Sequence, residues 1–288
     1  MASEDSSPSA LLAPGYRRAR GLLRACHPVP AAAVTLLVTG LALSAGRSGP
    51  GCLSVTGAVL AGQLSVGWCN DAADAHRDAA VGRCAKPVVS GAVPAGTVRS
   101  AALTALALCV LLSLASGVPA AVVHLIGVGA AWAYNLGLKA TPWSWLPYAA
   151  GFGSLPAFVA LGLPGHPWPH WWLVAASALL GVGAHLANVL PDIDDDLRTG
   201  VRGWPQRLGP AGARLLLPVP LVSASALLST AGPGRAHSPG VAVVLITAGA
   251  AVGGALLGRV RPRAPFLVAI AVAAVDVVLL LWRGSGLV

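Results

Sequence analysis

Acidic residues are scarce in this chain: Asp and Glu number ten among 288 residues, against 19 Lys and Arg. Charged residues of both signs make up only 10% of the composition, aromatics 5%, and there is one Met. The five Cys residues, Cys26, Cys52, Cys69, Cys84 and Cys109, show neither CxxC nor Cys/His metal spacing. That pattern excludes a zinc-type centre and leaves them as small packing residues, with no disulfides expected. What is plentiful is hydrocarbon, 56% of residues with a mean hydropathy of +0.73, in recurring apolar stretches of about 18 residues or more. Such stretches belong in a membrane. Unbroken rather than alternating runs make them helices, because hydrocarbon offers the backbone no other hydrogen-bond partner.

The expected fold class is all-α, a polytopic membrane protein built as a bundle of about nine transmembrane helices with two cytoplasmic Asp-rich motifs. The spans are read at 29–46, 51–68, 100–116, 119–138, 143–163, 171–190, 210–230, 239–258 and 264–282. With the N-terminus in the cytoplasm, nearly all Lys and Arg fall on that side, and only Arg47, Arg235 and Arg283 fall opposite. This positive-inside bias explains the formal charge of +9 as topology and attraction to anionic lipid, and argues against a nucleic-acid partner. Residues 1–24 read as a disordered cytoplasmic tail rather than a signal peptide, and 25–288 as the membrane domain. The long connections, 69–99 and 191–209, both emerge on the cytoplasmic side, and each begins with a cluster of acid.

Those clusters hold seven of the ten acidic residues: Asn70-Asp71-Ala72-Ala73-Asp74-Ala75-His76-Arg77-Asp78 and Asp192-Ile193-Asp194-Asp195-Asp196. On a helix Asn70, Asp71, Asp74 and Asp78 share one face. Like charges stacked in this way repel unless cations sit among them, and hard carboxylate and amide oxygens suit Mg2+ held against phosphates. In the second run Asp192, Asp195 and Asp196 share a face, continued by Asn188 and His185, while Asp194 points elsewhere. The missing Gly and terminal Glu exclude an EF-hand.

Asn70 to Asp78 resembles the NDxxDxxxD motif, and Asp192 to Asp196 the DxxxD motif, of the UbiA superfamily of intramembrane prenyltransferases. Arg83-Cys84-Ala85-Lys86-Pro87-Val88-Val89-Ser90-Gly91 is similar to the R-x-x-R-P-I-x-x-G continuation found there, with Lys in place of the second Arg. The resemblance implies Mg2+-dependent transfer of an isoprenyl group from a prenyl diphosphate to a small acceptor, aromatic or a quinone precursor. The Lys and Arg bias turns the active site to the cytoplasm, and the excess of Arg over Lys, 17 against 2, with abundant Ala and Gly, points to a bacterial cell membrane. Carried over by position, the resemblance makes Asn70, Asp71, Asp74, Asp78, Asp192 and Asp196 the metal and diphosphate ligands. Arg83 and Lys86 become diphosphate clamps, with Arg77 and Arg198 as further candidates and Asp195 as a reserve ligand. Trp132 to Lys139 resembles the family's Tyr-x-x-x-Lys segment and brings in Tyr134 and Lys139. Here Lys139 follows Tyr134 by five positions, so Asn135 and Lys139, at i and i+4, share a face more closely. Asp71, Asp192, Lys139 and Tyr134 are the catalytic candidates; Asn135, Asn188 and His185 join the substrate contacts.

Two polar residues inside spans stand apart from these motifs. His124 reads as an interhelical hydrogen-bonder. Asp276, an intramembrane carboxylate, is open between a functional role and a bond to a neighbouring helix. The same fold also admits a terpene cyclase. A divalent-cation transporter is a more distant alternative, because its carboxylates belong near the bilayer midplane rather than at helix ends.

Overall fold

The structure is a computed structural model describing residues 14–231 and 238–282; among these the chain is helical, with no strand. Its helices are α1 (Pro14–Ala25), α2 (Pro28–Ser44), α3 (Gly49–Ala80), α4 (Ala95–Leu114), α5 (Val118–Leu136) and α6 (Leu146–Leu161). They continue with α7 (Trp171–Val189), α8 (Ile193–Arg198), α9 (Trp204–Leu216), α10 (Pro218–Thr230), α11 (Ser238–Leu257) and α12 (Ala264–Trp282). Pro in the first turn opens α2, α3, α5, α6, α9 and α10, where its missing N–H costs nothing. At the start of α3, Ser48 Oγ accepts the Gly51 N–H at 3.2 Å.

Sequence neighbours pack as spatial neighbours: α2 on α3, α3 on α4, α5 on α6, α6 on α7 and α10 on α11. α10 also packs on α7, and α12 returns to α7 and α2, which closes the bundle. One core, around Val38, Val55, Phe158, Trp172 and Leu228, joins α2, α3, α6, α7 and α10. A second, around Leu186, Ile193, Leu221, Ala251 and Val272, joins α7, α8 and α10 to α12. Helix axes come close where side chains are absent. A Cβ on Gly181 of α7 would collide with the Tyr148 carbonyl of α6, and one on Gly67 of α3 with the Cys26 carbonyl. Large apolar side chains such as Leu53, Leu111, Ile126 and Leu245 are exposed, as a lipid-facing surface requires.

Five of the described helices are long and apolar enough to cross a membrane alone, or up to seven if each of two bent pairs counts as one span. The bent pairs are α1 with α2, at 60°, and α9 with α10, at 47°. α6 and α12 are apolar but shorter. The nine sequence-read spans thus correspond to α2 to α7, the α9–α10 pair, α11 and α12, and nine is an approximate count.

Three expectations change. Residues 14–24 are helical rather than part of a disordered tail. α1 turns Leu22 and Ala25 onto Val93 and Val98 while its Arg side chains stay outside, and residues 1–13 lie outside the described residues. The acidic stretch 69–80 is not loop but the last turns of α3, whose 32 residues span about 48 Å at 1.5 Å per residue. A hydrocarbon core of about 30 Å cannot contain that length, so the acidic end projects beyond it. The span read at 210–230 is interrupted at Leu217, between α9 and α10, and α9 itself is kinked just before it, at Gly209, whose φ of 71° favours glycine. Arg235 and Arg283, two of the cations assigned to the opposite side, lie outside the described residues.

Asp276 is fully buried and accepts a hydrogen bond from Ser225 Oγ at 3.0 Å, with Thr247 Oγ1 3.2 Å from the same hydroxyl. The carboxylate thus ties α12 to α10 and α11. His124 Nδ1 is 2.8 Å from Ser113 Oγ, and its ring stacks on Phe158 at 4.2 Å, an interhelical contact as expected.

Candidate active site

The site is built where α3 outruns the bundle. Its continuous helix keeps Asn70, Asp71, Asp74 and Asp78 on one face, and all three carboxylates are buried. Opposite, α7 ends at Val189 and a single 3-10 turn, Leu190–Asp192, redirects the chain into the short α8. That turn presents Asp192, Asp195 and Asp196 toward α3 and leaves Asp194 exposed.

The segment between α3 and α4 folds back over the acids. Arg83 N–H donates to Asp78 O at 2.9 Å, and Lys86 N–H to Arg83 O at 3.0 Å. Gly82 and Gly91, at φ 70° and 71°, make the turns. α1 buttresses this segment through the Arg24 guanidinium, 3.3 Å from Ala85 O, and through Leu22 and Ala25 against Val88 and Val93.

Arg83 thereby reaches both motifs, and Lys86 the first. Arg83 Nη1 donates to Asp78 Oδ1 at 3.2 Å, while Nη2 lies 2.8 Å from Asp192 Oδ1 and 3.6 Å from Asp195 Oδ2. Lys86 Nζ donates to Asp71 Oδ1 at 2.7 Å and stands 3.7 Å from Asp78 Oδ2. Burial works against the Arg83 charge, but Asp192 and Asp78 outweigh it and hold the guanidinium above its ordinary range.

From the 3-10 turn after α5, Lys139 donates to Asp74, which also pairs with Arg77. Burial pulls the Lys139 ammonium below its ordinary value, with Asp74 opposing. Asn135 accepts from Asn70 Nδ2 at 3.1 Å and donates to Val66 O at 3.0 Å, so the two Asn residues lock α5 against α3 beside Asp74. Asn70 Nδ2 is also 3.1 Å from Asp74 Oδ2.

Below the acids lies a cluster of rings. Tyr134, Tyr148 and His185 touch pairwise, with centroids 4.8 to 5.6 Å apart. Ser144 Oγ accepts the Trp204 N–H at 2.9 Å and lies 3.1 Å from His185 Nε2. The Ser144 hydroxyl can donate to Nε2 or accept from it, according to the imidazole tautomer. Asn188 is exposed and donates to Tyr148 Oη at 3.2 Å, so it joins the rings rather than the carboxylates. Tyr134 likewise faces the rings, and Lys139 pairs with Asp74 instead. Arg198 reaches only Asp195, three residues before it, with its side chain 73% exposed; this solvated pair adds little.

Two contributors lie outside the sequence motifs. Gln206 of α9, 5% exposed, donates to Asp196 Oδ2 at 2.8 Å from ten residues away. His27 Nε2 stands 4.0 Å from Asp71 Oδ1. The only hint at Gln206 is a polar residue in an otherwise apolar or basic stretch.

Among the described residues no three His, Cys, Asp or Glu side chains converge as a preformed metal cluster. The carboxylates face Arg77, Arg83, Lys86 and Lys139 instead. Asp71 Oδ2 is the exception, a buried carboxylate oxygen with no hydrogen-bond partner. Such an oxygen is costly to bury unless something else is to meet it.

The sequence profile of the UbiA prenyltransferase family matches residues 32–266. A 195-residue stretch is 33% identical to the bacteriochlorophyll synthase 33 kDa chain of Cereibacter sphaeroides, covering 62% of each chain. The counterpart from Rhodobacter capsulatus is 31% identical over 197 residues, 61% of this chain and 62% of that one. The chain thus spans less than two thirds of the curated relatives it matches. Among solved structures, a UbiA homolog from Aeropyrum pernix K1 in its apo form superposes with a TM-score of 0.71 at 20% identity, over 87% of this chain and 97% of that one. A UbiA homolog from Archaeoglobus fulgidus bound to GPP and Mg2+ superposes with a TM-score of 0.68 at 15% identity, over 92% and 99%. At such identities these structures speak for the fold. Together with the profile match across most of the chain, they establish that this protein belongs to the UbiA prenyltransferase family.

Proposed function

We propose that this chain transfers an isoprenyl group from a prenyl diphosphate to a small acceptor, aromatic or a quinone precursor, with Mg2+ and release of diphosphate. The observation that carries the reading is Arg83, one guanidinium within 3.6 Å of carboxylates from both Asp motifs. The two motifs therefore form a single charged site at one end of the bundle. Relatives add support: solved A. fulgidus homologs hold GPP or DMAPP with Mg2+, and the curated relatives are bacteriochlorophyll synthases.

The donor set fits Mg2+. It consists of hard oxygens, and one of them, Asp71 Oδ2, is buried and unpartnered. Asn70, Asp71, Asp74 and Asp78 would hold the ion on one side, and Asp192 and Asp196 on the other. Mg2+ typically takes one or two carboxylates, waters and substrate phosphates, so no three-carboxylate nest is required. When bound it neutralises charge on the leaving diphosphate.

The remaining work falls to the chain. Arg83, Lys86 and Lys139 offer cationic donors to phosphate oxygens as the allylic C–O bond breaks and its electron pair passes to the diphosphate. Tyr134, Tyr148 and His185 place ring faces below that bond, where an allylic cation gains from aromatic quadrupoles. The apolar helices around them exclude water and accept the isoprenoid tail. The acceptor nucleophile then bonds to the allylic carbon and loses its proton. The distribution of Lys and Arg supports an active site facing the cytoplasm, and the Arg-, Ala- and Gly-rich composition supports a bacterial membrane, with residues 25–288 as one membrane domain.

The test is mass spectrometry of products from purified protein, Mg2+, a series of prenyl diphosphates and a panel of aromatic acceptors. The proposal requires a prenylated acceptor. A cyclic hydrocarbon formed without acceptor would instead make the chain a cyclase.

A further inference from the structure

The cations in this site occupy positions that metal ligation needs free. Arg83 holds Asp78 Oδ1 and Asp192 Oδ1, and Lys86 holds Asp71 Oδ1 while standing near Asp78 Oδ2. Both side chains are about a quarter exposed, at 24% and 23%, so neither is sealed in place. The Arg83 Nη2 contact with Asp192 is close, at 2.8 Å, yet lacks the alignment of a hydrogen bond. It is a charge contact, which costs little to exchange for another anion. The Arg83 backbone, in contrast, is pinned to Asp78 O, so a partner exchange needs only side-chain rotation.

We propose that Arg83 and Lys86 are surrogate counter-ions: Arg83 holds the two Asp motifs together, and both cations mask the carboxylates from a divalent cation until a diphosphate draws them off. The ligand that the site accepts is therefore the metal–diphosphate unit rather than its parts in turn. This inference rests on the diphosphate reading of the site.

A metal arriving alone has to displace Lys86 from Asp71 and Arg83 from Asp78 and Asp192, leaving two half-buried cations beside a third positive centre. A diphosphate arriving alone meets six carboxylates, those of Asp71, Asp74, Asp78, Asp192, Asp195 and Asp196. Arriving together, each resolves the other's conflict. Phosphate oxygens take the planar fork of Arg83 and the ammonium of Lys86, while the released carboxylates, with Asp71 Oδ2 already unpartnered, turn to the metal. By linkage, each ligand then raises the affinity of the other by the same factor.

Arg83 separates this inference from a plain diphosphate clamp. A clamp residue contributes nothing to metal binding before diphosphate arrives; a surrogate counter-ion opposes it. The experiment is Mn2+ binding, read by electron paramagnetic resonance on the full chain in lipid nanodiscs, with and without inorganic pyrophosphate. Wild type is expected to bind Mn2+ weakly alone and more tightly with pyrophosphate. Arg83→Gln is expected to bind Mn2+ alone about tenfold more tightly than wild type and to lose most of the tightening by pyrophosphate, a change within the usual range of coupling. Lys86→Gln should move the same way by a smaller factor, and serves if Arg83→Gln does not fold. Mn2+ affinity in the absence of pyrophosphate that is unchanged or weaker in the folded variants overturns the inference. Failure of wild type to bind Mn2+ even with pyrophosphate overturns the diphosphate reading itself.

Discussion

Asp78 is held by Arg83 and Lys86 through its side chain and by the Arg83 N–H through its backbone. Asp78→Asn keeps the shape and removes the charge. Losing charge stabilisation of this kind costs about 10²- to 10³-fold in kcat. Initial rates of prenyl transfer, alongside an unchanged melting temperature, would check this. Gln206 acts one step further out, since its amide fixes the rotamer of Asp196. Gln206→Leu is expected to raise the Mg2+ concentration needed for half-maximal rate by about 10- to 100-fold, the usual effect of removing a group that orients a metal ligand. A Mg2+ titration of turnover reads it, and an unchanged midpoint would reduce Gln206 to packing. These two residues also show what was legible. The Asp positions stood out because acid is rare and costly in an apolar chain. Gln206, Ser144 and His27 did not, because each enters the site through a bend that brings distant segments together.

The elements were legible to the extent that hydropathy defines them. All nine apolar segments are helices, but hydropathy is blind to where a helix outruns the bilayer or breaks. α3 carries its acids on continuous helix beyond the hydrocarbon. α9 is kinked at Gly209, ahead of Pro210, and the turn before that kink brings Trp204 to Ser144 and Gln206 to Asp196. α1 escaped notice because its apolar face is only one stripe, matched to Val93 and Val98. Close approach of α6 and α7 depends on Gly181, where a Cβ would strike the Tyr148 carbonyl. Gly181→Ala is expected to cost about 1–3 kcal/mol, as overpacking a tight contact does, and to displace Tyr148 from the ring cluster. Gly129→Ala, with open space around its added carbon, should leave thermal stability unchanged. Melting curves of both variants make the comparison; equal melting temperatures would mean that the helices separate freely.

For the whole molecule, α12 packing on α2 closes a bundle that gathers both Asp motifs at one end. The cytoplasmic sidedness proposed from the charge distribution can be checked with a native reporter. Cys84 lies between Arg83 and Lys86 and is exposed, whereas Cys26, Cys52, Cys69 and Cys109 are buried. A membrane-impermeant thiol reagent should label Cys84 in inverted vesicles and not in right-side-out ones; the reverse pattern would place the site on the opposite face. Removal of divalent cations with EDTA should abolish transfer, with Mg2+ restoring it.

The central claim is that the two Asp motifs, far apart in sequence, serve one prenyl diphosphate. Its most direct test is prenyl transfer by wild type, Asp71→Ala and Asp192→Ala in nanodiscs with Mg2+, read by mass spectrometry of the prenylated acceptor, with folding verified for each. The account predicts product from wild type and its loss to background in both variants, one from each motif. Transfer at the wild-type rate in either folded variant would contradict it.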